Sequence, residues 1–198
     1  MKRFAIFANS YQGQLKRGVE NSYKYINPIL DHYGIHQCKD SIITTQDFDT
    51  DSGLLKLYDK VNEYQVNKNL PIIFGGDHHI ASATVASSLK NFGDNFKLLW
   101  IDAHTDINTM EESESKNKHG MPGASLMGLM EPWISDVPLL KPEQIIYMGV
   151  RSIDDFEMDI LQKYKIETYF AEDIIKSKKN SNLHYLLQHV YRKPIENI

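Results

Sequence analysis

The sequence has one cysteine, Cys38, among its 198 residues. An intrachain disulfide and a thiolate metal cluster are both excluded, and a reducing compartment is favoured. No apolar run reaches the roughly 20 residues that a membrane span needs. The basic start MKRFAIFANSYQG lacks a signal-peptide core as well, because Asn9 and Ser10 interrupt its apolar stretch. Excess positive charge is also missing: 22 Lys and Arg stand against 26 Asp and Glu, for a net charge of −4. That balance offers no basic surface to nucleic acid. The composition of a disordered chain is absent too, since 41% of the residues are apolar and 8 Phe, 11 Tyr and 2 Trp are available for a core. The expectation is one globular domain over residues 1–198, cytoplasmic, with neither membrane nor nucleic acid as a partner.

Short apolar runs alternate with longer amphipathic segments. Residues 4–8, 70–74, 97–101 and 144–149 are nearly continuous in apolar character, as parallel strands covered on both faces should be. Residues 168–170 form a shorter candidate, and 194–198 look like the start of another strand. Helical patterns fall at 18–33, 54–68, 80–91 and 183–192. Alternating β and α segments predict a doubly wound α/β fold with a parallel sheet. No internal repeat or linker is visible. The stretch EESESKNK over 111–118 is polar enough for a disordered loop, yet its place beside the chemical motif suits a binding loop.

In open α/β sheets, ligands gather beyond the carboxyl ends of the strands. Gly75-Gly76-Asp77-His78-His79 follows one predicted strand, and Asp102-Ala103-His104-Thr105-Asp106 follows another. While the chain stays extended, residues two apart point the same way, so Asp102, His104 and Asp106 can converge. With one of the two neighbouring histidines, here His78, they make a nitrogen and oxygen donor set that suits manganese, zinc or iron(II), or magnesium with fewer imidazoles. A lone D-x-H serves equally well as a helix cap or a satisfied polar pair. Two such clusters, each at a strand end, favour a metal site, and a shared carboxylate can hold two ions about 3.5–4 Å apart.

GGDHH, WIDAHTDINT and NKHGMP resemble the ureohydrolase signatures, specifically those of arginases. The likeness runs from Gly13-Gln14 and Arg17-Gly18-Val19-Glu20 through Gly149-Val150-Arg151-Ser152-Ile153-Asp154 to the last residue. The resemblance implies a three-layer α/β/α fold with a mostly parallel sheet, and two Mn²⁺ ions as cofactor. His78, Asp102 and Asp106 would hold the first ion and His104 the second, with Asp102 bridging. The implied reaction is hydrolysis of L-arginine to L-ornithine and urea. Asp106 would also bind the attacking hydroxide and pass its proton to the leaving amine, and His119 would shuttle protons. In the loop, Asn108, Ser113, Ser115 and Asn117 would hold the substrate's α-carboxylate and α-amino group, and Asp154 would pair with the α-ammonium. Ser113 stands where a threonine is usual, which keeps the hydroxyl. The resemblance further implies a homo-oligomer, a trimer or hexamer.

In arginases a strand ending S-F-D-x-D follows a stretch like Arg192-Lys193-Pro194-Ile195, and its acidic residues complete both metal sites. This sequence ends at Ile198, so its C-terminal strands are expected to be missing. The first ion keeps three candidate ligands and the second only Asp102 and His104, fewer than the roughly three that a catalytic metal usually takes from the protein. The 198-residue chain is therefore expected to be weakly active or inactive, as a fragment or as a degenerate relative. Two rival readings stand beside arginine hydrolysis. One is agmatinase or another ureohydrolase, disfavoured because agmatine has no α-carboxylate for Asn108, Ser113, Ser115 and Asn117 to hold. The other is a non-catalytic arginase-like binding protein.

Overall fold

The computed structural model describes residues 1–14, 17–50 and 52–178. Its contacts divide into two units. The first comprises Met1–Gly93 and Asp106–Leu140; the second comprises Asp94–Thr105 and residues from Lys141 onward.

The first unit is built on a three-stranded parallel sheet in the order β2-β1-β3. Its strands are β1 (Arg3–Ala8), β2 (His36–Ile43) and β3 (Leu70–Gly75). In β1, Ala5, Ile6, Phe7 and Ala8 are all fully buried, as befits a strand paired on both edges. One stretch departs from the sequence expectation. Instead of a continuous helix over 18–33 there is a 3₁₀ turn at Val19–Asn21, a single turn α1 (Tyr23–Ile26), and 3₁₀ turns at Asn27–Ile29 and Asp31–Tyr33. Pro28 has no N–H for a continuing ladder, and Gly34, at φ 62°, closes the segment in the left-handed conformation.

After β2, Thr44 caps α2 (Thr45–Phe48), and Asp47 accepts from the Thr44 backbone N–H at 2.8 Å. The helices α3 (Ser52–Val66) and α4 (Ala81–Phe92) pack together, and Leu54, Leu57 and Val61 on one and Ala83, Val85, Ala86 and Leu89 on the other are buried. The short helix α5 (Pro122–Met127) ends at Gly128, again left-handed.

The second unit holds another three-stranded parallel sheet, β4-β5-β6, from β4 (Leu98–Ile101), β5 (Ile145–Val150) and β6 (Glu167–Phe170). Tyr147, Ile145 and Val150 in the central strand are buried. The helices are α6 (Asp155–Tyr164) and α7 (Ala171–Lys178), with Ile160 and Leu161 of α6 buried. Parallel strands flanked by helices agree with the α/β fold expected from the sequence. The helix expected at 183–192 and the strand expected at 194–198 lie outside the described residues. Among the described residues, no helix is long and apolar enough to cross a membrane.

Candidate functional site

Gly76 follows β3, and its backbone lies against that of Ser10, the second residue beyond β1. A Cβ on Gly76 would stand 1.7 Å from the Ser10 carbonyl oxygen, so only glycine permits this approach. The Gly76 N–H donates to Ala8 O at 2.9 Å and the Asp77 N–H to Ser10 O at 3.1 Å. Asp77 then caps a 3₁₀ turn, His78–Ile80, its Oδ1 accepting from the His79 N–H at 2.9 Å. Together these contacts stand His78 at the carboxyl end of β3.

Within this unit the turn brings His78 to Asp106: Nδ1 and Oδ2 lie 2.6 Å apart. A carboxylate oxygen can only accept, so Nδ1 carries the proton that the two share. Asp106 is 5% exposed and sits at φ 53°, a left-handed conformation uncommon for any residue but glycine, asparagine or aspartate. The Gly123 N–H donates to its carbonyl at 2.8 Å.

In the second unit, Asp102 and His104 follow β4. The His104 N–H donates to Asp102 Oδ1 at 3.0 Å, and His104 Nδ1 stands 3.4 Å from the same oxygen. The loop is pinned to the end of β5. The N–H groups of Arg151 and Ser152 both donate to Ala103 O, at 2.9 and 3.1 Å, and Asp102 N–H donates to Met148 O at 3.2 Å. Gly149, at φ 93°, marks the register shift in β5 that this fit requires, and a Cβ there would touch Asp102 O at 3.4 Å. Within the first unit, His78 and Asp106 each offer one atom that a metal ion could take, and as imidazole and carboxylate donors they fit manganese, zinc or iron(II) without needing a thiolate.

The polar stretch after Asp106 is ordered by its own hydrogen bonds. Asn108 and Ser113 are buried, whereas Ser115 is exposed. Asn108 Oδ1 accepts from the Thr109 N–H at 2.9 Å. Ser113 Oγ accepts from the Lys116 N–H at 3.1 Å and lies 3.4 Å from Ser115 Oγ, which in turn accepts from the Asn117 N–H at 3.3 Å. Beyond them, His119 N–H donates to Gly13 O at 3.0 Å, and Nδ1 approaches the same carbonyl at 3.2 Å.

Asp154 is exposed at the N-cap of α6, and its backbone N–H donates to Glu157 Oε2 at 3.1 Å. Glu157, buried, also accepts from Thr105 Oγ1 at 2.7 Å, tying the loop after β4 to the start of α6. Asp77 and Glu157 were given no role on sequence grounds. The spacing Asp154-x-x-Glu157 is a capping-box signature and could have located both α6 and this glutamate.

The arginase family model matches residues 5–195. Among curated proteins, the Bacillus subtilis arginase is 37% identical over 127 residues, covering 62% of this chain and 43% of the relative. The Staphylococcus aureus arginase is 30% identical over 194 residues, covering 86% of this chain and 64% of the relative. The chain thus spans less than two thirds of these relatives. Among solved structures, Bacillus subtilis arginase superposes with a TM-score of 0.84 at 29% identity, over 97% of this chain and 71% of that one. An Entamoeba histolytica arginase in complex with L-ornithine gives 0.82 at 30% identity, over 99% and 72%. With a family model matched over nearly its whole length, the chain belongs to the arginase family.

Proposed function

We propose that this protein supplies the residues of an arginase site, binding Mn²⁺ and L-arginine for hydrolysis to L-ornithine and urea. The observation that carries this reading is the 2.6 Å approach of His78 Nδ1 to Asp106 Oδ2, on a buried aspartate with a left-handed backbone. A divalent cation there would be held by these same two side chains. His78, Asp102 and Asp106 would hold one ion, and His104 with Asp102 would contribute to the second. When bound, the ions lower the pKa of water and so supply hydroxide near neutral pH.

The chain's own groups do the rest. Asp106 holds a proton at its carboxylate and hands it to the departing amine. His119 exchanges protons with solvent, the task for which imidazole is suited. Asn108, Ser113, Ser115 and Asn117 offer uncharged donors to the α-carboxylate, and the Asp154 carboxylate attracts the α-ammonium. The ornithine held by the Entamoeba histolytica arginase carries both groups, which supports an amino-acid substrate over agmatine.

Calorimetric binding and urea release test the reading together. In the presence of Mn²⁺ the protein should bind L-arginine and L-ornithine in preference to agmatine, and release urea from arginine well below the ~10 s⁻¹ of a typical enzyme. Failure of either amino acid to bind with Mn²⁺ present would refute the assignment. Equal binding of agmatine would refute its specificity.

A further inference from the structure

Asp77 is 4% exposed, and its carboxylate gathers three donors from two separate stretches of chain. Oδ2 accepts from Ser10 Oγ at 3.0 Å and from the Gly13 N–H at 3.1 Å, while Oδ1 accepts from the His79 N–H. Bonds from N–H or O–H to an ionised carboxylate are roughly twice as strong as neutral ones, so this group is a strong fixed point for the 10–13 loop. The loop has little room to sit elsewhere. A Cβ on Gly13 would stand 2.2 Å from Asp77 Oδ1 and 2.8 Å from His79 Cβ.

Gly13 is held through its N–H, and through its carbonyl it holds His119. That one oxygen receives the His119 backbone N–H at 3.0 Å and faces Nδ1 at 3.2 Å. A carbonyl only accepts, so neutral His119 must carry its proton on Nδ1 and present Nε2 as the basic nitrogen. If Gly13 shifted by 1 Å, Nδ1 would lose its acceptor and the ring would be released to the other tautomer.

We propose that Asp77 is a positioning residue for His119, acting through Gly13 to fix the ring as the Nδ1–H tautomer and leave Nε2 to exchange protons. This rests on the reading of His119 as the proton shuttle, but its test does not depend on turnover. The imidazole ¹⁵N shifts of His119 report which nitrogen bears the proton. They are read in the intact protein, in mildly alkaline buffer.

The unmodified protein should show His119 predominantly protonated on Nδ1. In Asp77→Asn the ratio should move roughly fivefold towards Nε2–H, the population equivalent of one net hydrogen bond. Gly13→Ala, which forces Asp77 and Gly13 apart sterically, should move it the same way. Ser10→Ala, which leaves the Asp77–Gly13 bond in place, should change it less than twofold. An Nε2–H ring in the unmodified protein overturns the proposal whether or not the variants fold. So does an unchanged ratio in a folded Asp77→Asn. If the tautomer behaves as stated but Mn²⁺-dependent arginine binding is absent, the positioning role stands and the arginase reading fails.

Discussion

Gly76→Ala should be among the most damaging single-methyl changes in this protein. The new Cβ would lie 1.7 Å from Ser10 O, 2.7 Å from Ser10 C and 3.0 Å from Ser10 N, all backbone atoms that no side-chain rotation can move. Relief requires the turn after β3 and the loop after β1 to part by roughly 1.3 Å, a small-to-large insertion of the kind that costs about 1–3 kcal/mol. Such a separation also lengthens the Asp77 N–H to Ser10 O bond from 3.1 Å and the Ser10 Oγ to Asp77 bond from 3.0 Å, out of hydrogen-bonding range. At about 1 kcal/mol net for each, the total comes to about 3–5 kcal/mol.

That is a large share of the ~5–15 kcal/mol by which domains are stable. Urea unfolding with linear extrapolation measures it, and Gly120→Ala is the control because a Cβ there meets nothing within 4 Å. The control should stay within about 1 kcal/mol of the unmodified protein. Because the same turn carries His78, Gly76→Ala should also weaken Mn²⁺ binding. A stability loss no larger than that of Gly120→Ala would refute the reasoning.

Other outcomes follow from single contacts. Asp154→Ala and Asn108→Ala should each weaken arginine binding about ten- to hundredfold and leave agmatine binding little changed, as calorimetry would show, because agmatine lacks both α groups. Equal losses for Asp154→Ala would assign Asp154 to capping α6 alone. Burial, and then the hydrogen bond from its hydroxyl to Glu167 at 2.7 Å, push Tyr169 up to about 12. The folded value lies above the ordinary ~10, so this stabilisation is intact below pH 10 and is lost as pH rises through 12. Tyr169→Phe should therefore flatten the alkaline limb of the stability curve, read by denaturant unfolding at pH 9 to 12.

What could be read beforehand depended on how local the cause was. β1, β3, β4 and β5 announced themselves because parallel strands need unbroken apolar runs, and the reactive residues could be placed at their carboxyl ends from that rule alone. β2 was not read as a strand: HQCKDSII is polar through its middle, and among the described residues the strand pairs with β1 alone, at an edge of its sheet. The helical pattern over 18–33 was real in its spacing, but Pro28 overrode it. α6 escaped because Asp154 was taken for substrate chemistry when it is also the helix cap. Asp77 stood in plain view within GGDHH, yet its partners Ser10 and Gly13 lie 67 and 64 residues away in sequence. No local pattern carries a bond between segments so distant.

Titration of Mn²⁺ into metal-free protein, followed by the electron paramagnetic resonance signal of the free ion, bears most directly on the proposed site. Saturable binding should appear, and both His78→Ala and Asp106→Ala should weaken it at least tenfold, each by removing a metal ligand. Tyr169→Phe, which removes no proposed ligand, should leave the curve unchanged. Identical binding curves for the unmodified protein, His78→Ala and Asp106→Ala would contradict the assignment of these residues as the manganese site.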